Sequence, residues 1–227
     1  MSDTAQKRDL SDPRTITDFA DAVQTPEKLR LLLVLTIADI KAVGEGVWNS
    51  WKAQLLRDLF RLTEAAFRGG RAAESAVQSR LVERAQESRA AVEAAFPPAS
   101  SGALQAWLQA LEDAYWLGFD TSAHLWHARE LHAHEAQPIF ASARPDPRRG
   151  VTDVQVKAPD RAGLFVALTG ALASEGASVV DARIYTSKAG EAFDVFSLQD
   201  WSGQAFGADD PHRLARLIRS IELAAAG

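Results

Sequence analysis

The sequence predicts an α part followed by an α/β part, and three observations carry that prediction. From Ile16 to about His134 the apolar residues recur at helical spacing, in runs separated by Gly, Pro and Ser. Beyond Gly150 the spacing switches to the alternation of half-buried strands. The elements after the switch come in the order β-α-β-β-α.

In the first part, Ser11-Asp12-Pro13 is a helix entry, because Asp caps and Pro suits the first turn, and Ile16, Phe19, Ala20 and Val23 follow at helical spacing. Thr25-Pro26-Glu27 repeats the signal before Leu29, Leu32, Leu33, Thr36, Ile37 and Ile40, a helix apolar nearly all round and so expected to be buried. Gly44 and Gly46 break it. A third helix runs from about Asn49 to Gly69-Gly70, and residues 71 to 95 form a long helix with a weak apolar face. Phe96-Pro97-Pro98 and Ser100-Ser101-Gly102 mark the first change of unit. A short helix around Leu104 to Leu111, the aromatic segment Tyr115 to Phe119 and a helix capped by Thr121 or Ser122 come next. Pro138 to Ala143 reads as a strand, and Arg144 to Gly150 as a stiff polar linker.

The second part opens on a strand whose apolar face is mainly Val154 and Val156. A helix from about Gly163 to Gly176 buries Leu164, Phe165, Leu168, Ala171 and Leu172. Strands Ala177 to Thr186 and Glu191 to Gln199 are joined by Ser187-Lys188-Ala189-Gly190, a loop of hairpin length. A terminal helix starts near Asp209-Asp210-Pro211. This order is one strand short of the ferredoxin-like β-α-β-β-α-β unit. The expected division is a helical segment 1–96, a connecting segment 97–149 and an α/β domain 150–227.

The net charge of -5 gives no bulk attraction to nucleic acid or to an anionic membrane, and Arg148-Arg149 is too small a patch for nucleic acid. The absence of cysteine excludes disulfides and thiolate metal sites. Leu31 to Ile40, the longest apolar run, is about ten residues, half of a bilayer span. Met1 to Leu10 has no apolar core of the kind a signal peptide needs. A cytoplasmic location is expected. His124, His127, His132 and His134 fall on or near one helix, the first two at i, i+3 spacing; with nothing to fix a metal geometry they are expected on a solvated surface.

The connection Asp160-Arg161-Ala162-Gly163-Leu164-Phe165 resembles the first loop of ACT domains, and Gly176 to Ile184 resembles that family's second strand. The resemblance implies ligand binding by Asp160, Arg161, Gly163 and Leu164 at a helix start, with Ser178 and Asp181 on the strand. Ala162 stands where the family usually has Pro. Two longer segments narrow the resemblance: Leu31 to Val43 with Gly46-Val47-Trp48-Asn49-Ser50-Trp51-Lys52, and Asp153 to Asp200 with Val180-Asp181-Ala182-Arg183-Ile184 and Asp194-Val195-Phe196. Both are similar to bacterial uridylyltransferase/uridylyl-removing enzymes of the PII signalling protein. They correspond to the tail of that family's His-Asp phosphohydrolase domain and to its first ACT domain.

The family resemblance implies a regulatory, glutamine-sensing portion of an enzyme of nitrogen regulation, with PII as protein partner, and a homodimer through ACT domains. The chain lacks the Gly-Ser pair and paired aspartates of a nucleotidyltransferase, and no His precedes His124 to supply His-Asp ligands. Asp39 matches one remnant metal ligand; Lys41 or Arg57 is its alternative, merely structural partner. No catalytic residue and no cofactor is therefore expected in this chain, Mg²⁺ or Mn²⁺ being implied for the longer family enzyme. The competing expectation is a subunit that completes a metal-dependent phosphohydrolase site with another polypeptide; a third is a truncated product that folds poorly. The helices at Pro26 to Val43 and Asn49 to Arg68 would pack on upstream helices in the family, so exposed apolar patches are expected here.

Overall fold

The computed structural model describes residues 1–10, 12–43, 48, 50–69, 73–97 and 102–227. Ser11, the breaks at Gly44, Gly46 and Gly70, Val47, Asn49 and the Pro98, Ser100 and Ser101 punctuation lie outside the described residues. The chain forms two compact units, Met1–Arg84 and Ala85–Gly227.

In the first unit, α1 (Ser2–Lys7), α2 (Pro13–Val23) and α3 (Pro26–Val43) each contact or neighbour α4 (Ser50–Gly69), and α5 (Ala73–Ala95) begins. The start signals act as their chemistry predicts. Asp12 accepts the Arg14 N–H at 2.9 Å, and the Thr25 hydroxyl accepts the Lys28 N–H at 3.2 Å. Ile16, Phe19, Ala20 and Val23 of α2 are buried, as are Leu29 of α3 and Leu56 and Leu59 of α4. The expectation that α3 is buried nearly all round is corrected. Only Leu29 and Ile40 are buried on it, while Leu31, Val34 and Leu35 are each 64% exposed and Val43 is 70% exposed. Its neighbours cover one side of the helix and leave the other bare, as expected for α3; the patch expected on the next helix is absent, since none of the described large apolar side chains of α4 is exposed.

The second unit continues with α6 (Gly102–Ala110), α7 (Asp113–Gly118), α8 (Thr121–Ala133), β1 (Phe140–Asp146), β2 (Val151–Pro159), α9 (Leu164–Ser174), β3 (Ser178–Thr186), β4 (Glu191–Gln199) and α10 (Pro211–Ala226). Its sheet has the order β1-β2-β4-β3, antiparallel throughout, with a register shift in β3 between Val179 and Asp181. The strand missing from the expected order is supplied from upstream. β1 pairs with β2 from Phe140 opposite Lys157 to Asp146 opposite Val151, and takes the edge position that the last strand of a β-α-β-β-α-β unit would fill.

That pairing overturns the reading of Arg144 to Gly150 as a linker. Arg144, Pro145 and Asp146 are strand residues, Pro145 being tolerated because β1 is an edge. Asp146 then accepts the N–H groups of Arg148 (3.0 Å) and Arg149 (3.1 Å), closing a hairpin turn. Arg149 reaches the buried Asp153 carboxylate at 2.6 Å and Arg144 approaches it at 3.7 Å. Ser197 donates to the other Asp153 oxygen at 2.8 Å. The arginines that look like linker residues in the sequence are thus tied to a carboxylate inside the sheet.

Both faces of the central strands are covered, a three-layer arrangement that explains why β2 and β4 are buried almost without alternation. Against one face, Val154, Val156, Ala158, Ala192, Phe196 and Leu198 pack with Leu164, Leu168 and Leu172 of α9 and Leu217 and Ile221 of α10. Against the other, Phe140, Phe193 and Val195 pack with Leu104, Leu108, Leu111, Tyr115, Trp116, Ala128 and Leu131 of the helical layer. Gly118 allows a close approach of that layer to β3: a Cβ there would stand 2.5 Å from the Tyr185 hydroxyl.

The histidine expectation is also corrected. His124 and His127 are not on a solvated surface but are 0% and 1% exposed, set among Tyr115, Trp116, Phe119 and Phe193. The Tyr115 hydroxyl and His127 Nδ1 lie 3.1 Å apart. Burial drives the His127 pKa well below the ordinary value, helped by His124, Arg144 and Arg183, and drives that of Tyr115 well above its own. The cap of α8 is Asp120, which accepts the Ala123 N–H at 2.8 Å, rather than Thr121 or Ser122.

Candidate effector site at the start of α9

The loop between β2 and α9 is anchored at both ends and open in the middle. Asp160 N–H donates to the Gly190 carbonyl at 2.9 Å, tying the loop to the β3–β4 hairpin, and the Thr186 hydroxyl reaches Asp160 Oδ2 at 3.4 Å. Arg161 turns away and donates to the Ala224 carbonyl at 2.8 Å. Gly163 caps α9 with φ of 82°, a left-handed conformation that a β-branched residue resists, and the space where its Cβ would lie is open. No side chain caps this helix, and the Leu164 N–H turns back to the Arg161 carbonyl at 3.1 Å, so the opening amides that face that space are those of Phe165 and Val166. Leu164 is buried, whereas Phe165 and Val166 are 45% and 72% exposed.

Ser178 and Asp181 stand elsewhere. Ser178 is at the start of β3 and Thr186 at its end, about 25 Å apart at the usual ~3.3 Å rise per strand residue. Asp181 pairs with Arg183 at 3.1 Å. Within one copy the structure therefore brings Asp160, Gly163 and Leu164 together and leaves Ser178 and Asp181 toward the far end of the strand. β3 is nevertheless a free sheet edge, with Val179 and Ile184 exposed.

Asp194 is the residue that sequence reasoning passed over. It alternates with Ala192, Phe196 and Leu198 on the α9 face of β4, is 2% exposed, and its Oδ1 has no hydrogen-bond partner. Burial and the neighbouring Asp160 raise its pKa to about 7. An acidic residue in the apolar register of a strand was the available signal.

Asp39 lies exposed on α3. Neither alternative partner holds it: Lys41 sits over the Trp48 ring at 5.6 Å, and Arg57 donates to Gln54 at 2.9 Å. Among the described residues no group of three or more His, Asp or Glu side chains is placed to hold a metal, so Asp39 with its surroundings does not fit a metal centre. No helix among the described residues is long and apolar enough to cross a membrane.

The sheet, its paired helices and the glycine-opened loop define the class, and residues 152–200 match the ACT domain family. Over its entire length the chain is similar to bifunctional uridylyltransferase/uridylyl-removing enzymes. It is 50% identical to that of Phenylobacterium zucineum, 47% to that of Caulobacter vibrioides and 44% to that of Gluconobacter oxydans. In each comparison all of this chain is covered but 24% of the relative, so the chain spans about a quarter of the length of these enzymes.

Proposed function

We propose that this chain is the regulatory, amino-acid-sensing portion of a uridylyltransferase/uridylyl-removing system of nitrogen regulation, working in the cytoplasm, with glutamine as effector and PII as the protein ultimately modified. The observation that carries the reading is the uncapped start of α9 at Gly163, beside a free sheet edge. Opening amides there suit the ligand's α-carboxylate. If β3 of one copy lies antiparallel to β3 of a second, the Ser178 end of one strand meets the Thr186 end of the other, and Ser178 and Asp181 then approach the Asp160–Leu164 loop across the pair. A homodimer would thus complete the site. Calorimetry with glutamine over a range of protein concentration tests this: affinity should fall on dilution, and a response absent at every concentration removes the sensor reading. Gly163→Val should abolish binding, and because of the positive φ it should also cost about 1–2 kcal/mol of stability.

In this reading the helical first unit is the tail of a His-Asp phosphohydrolase domain, and the chain alone neither transfers nor removes UMP. Mg²⁺ or Mn²⁺ belongs to the longer enzyme. Incubation with PII, UTP and either ion should give no uridylylation and no UMP release above a blank.

One observation favours a second reading. Leu31, Leu35, Asp39 and Val43 recur every four residues, so the exposed apolar stripe of α3 runs through the Asp39 carboxylate. A polypeptide that covers this stripe could bring the missing His-Asp ligands to Asp39. UMP release from modified PII that appears only when such a polypeptide is added, and is lost in Asp39→Ala, would establish it.

A further inference from the structure

The loop and helix start offer donors to a ligand's carboxylate, but for its positive end the loop itself offers Asp160 alone, whose Oδ2 already faces the Thr186 hydroxyl at 3.4 Å. Asp181, the acid expected there from the sequence, is already engaged with Arg183 at 3.1 Å and lies toward the other end of β3. Asp194 is differently placed. Its neighbour two residues along β4, Phe196, stacks under Phe165 of the first turn of α9 with ring centroids 6.1 Å apart. In the other direction along β4, Ala192 lies opposite Thr186, whose hydroxyl contacts Asp160. Asp194 therefore sits under the opening of α9, between the Phe165 stack and the Asp160 loop.

Its surroundings are short of donors. The strand neighbours are Val156 on β2 and Ile184 on β3, and α9 presents Leu164 and Phe165, all uncharged. Asp160 is the titratable group set against it, and Arg161, the cation nearest in sequence on that loop, is directed to the Ala224 carbonyl. Lys157, on the opposite face of β2, lies 3.7 Å from Glu191. A carboxyl oxygen buried without a donor forfeits its hydration with nothing in return. Natural folds keep such a group where something else satisfies it. Ile184, opposite Asp194 on β3, and Phe165 on α9 are each about half exposed, so it is these two side chains that a ligand coming from the β3 edge has to displace.

We propose that Asp194, with Asp160 beside it, receives the α-ammonium of a bound amino acid whose carboxylate lies on the amides opening α9. One copy of the chain then holds both charged ends of the ligand, and the second copy's Ser178 and Asp181 are left to the ligand's side chain. This assignment rests on the amino-acid-sensing reading above and names the group that distinguishes an amino acid from a simple carboxylic acid. It also couples binding to a proton. Asp194 is largely neutral at pH 6 and must ionise to pair with an ammonium, so binding releases a proton there and strengthens as pH rises.

The test is calorimetry on the full chain with a panel of L-amino acids, glutamine among them, and with 4-carbamoylbutanoate, which is glutamine without its amine. Titrations run at pH 6 and pH 8 in buffers of different ionisation enthalpy, on wild type, Asp194→Asn and Asp181→Asn. In wild type, glutamine affinity should rise roughly tenfold from pH 6 to pH 8 with proton release at pH 6, and the deaminated compound should bind at least about tenfold more weakly. Asp194→Asn, which mimics the neutral carboxyl and should fold, should lose the pH dependence and the discrimination together; Asp181→Asn should keep both. Glutamine bound by Asp194→Asn with wild-type affinity and pH dependence overturns the assignment and leaves glutamine sensing standing. The deaminated compound bound by wild type as tightly as glutamine also overturns it, without reliance on any variant. Binding of a different amino acid with the Asp194 signature upholds the assignment and removes glutamine. No binding by any amino acid at either pH overturns both.

Discussion

The two units of this chain bury their apolar residues to different degrees. In Ala85–Gly227 a four-stranded sheet has helices on both faces, and its central strands β2 and β4 are buried nearly end to end. In Met1–Arg84 the most apolar helix, α3, leaves Leu31, Val34, Leu35 and Val43 largely in water. The difference teaches that hydrophobicity alone did not decide burial. An apolar face is buried only where a second layer exists to meet it, and the sheet has two such layers while α3 has one.

The sharpest way to break this contrast is to remove a side chain that joins the helical layer to the sheet. Phe193 is fully buried and meets Trp107, Tyr115 and His127 edge-on or nearly so. Phe193→Ala should cost about 3–5 kcal/mol in urea unfolding, whereas a segment that merely connected two domains would make the cost far smaller. Asp153→Ala should cost about 2–3 kcal/mol by leaving Arg149 and Arg144 without their shared carboxylate; both arginines keep about 30% of their side chains in water (31% and 30%), which holds the loss below that of a fully buried pair.

Titration sharpens the contrast within the second unit, because its two layers respond to pH in opposite directions. On the α9 side, the folded pKa of Asp194 is raised to about 7. Its contribution is fully present below the unfolded value near 4 and is lost as pH rises through about 7, a fall on the order of 2 kcal/mol between pH 5 and pH 8. Asp194→Asn should therefore raise Tm at pH 8 relative to wild type and do less at pH 5. On the other side, His127 has a lowered pKa, so the unfolded chain takes up its proton first and stability falls as pH drops below about 6.5. His127→Gln should flatten the acid limb of a Tm against pH curve and leave the alkaline limb in place.

The smallest stability effect is expected on α3. Leu31→Lys with Leu35→Glu should change the unfolding free energy by less than about 0.5 kcal/mol, since neither side chain is buried. Light scattering should nevertheless show weaker self-association than wild type. An equally monomeric wild type would mean that the stripe attracts nothing in solution.

Much of the second unit was legible because its local signals are strong. The boundaries of β4, the hairpin at Ser187 to Gly190, the entry at Asp210-Pro211 and the glycine opening α9 all follow from residues that admit few backbone alternatives. What escaped reading was decided by distant partners. Arg144 and Arg149 read as linker because their shared counterpart Asp153, itself held by Ser197 of β4, comes opposite them only through strand pairing. His127 read as surface because its burial depends in part on Phe193, from a strand far along the chain, and His124 because the helix turn folds Tyr115, Trp116 and Phe119 around it. Asp194 was visible only as an acid in an apolar register, and its meaning depended on which loop the fold would lay beside it.

The hairpin of β1 and β2 has a consequence for how the chain reaches this structure. In a β-α-β-β-α-β unit the edge beside the first strand is filled last, by residues at the opposite end of the domain. Here that edge is filled by the segment immediately upstream, across a turn of a few residues, and β3 meets β4 across an equally short one. The pairing of β2 with β4 is the one ladder of this sheet that must wait for an intervening helix and strand. Replacing the most distant contact by a neighbouring one lowers the entropy cost of loop closure along the route. Refolding of the sheet should accordingly be fast for its strand content, with the β2–β4 union as the late, rate-setting event.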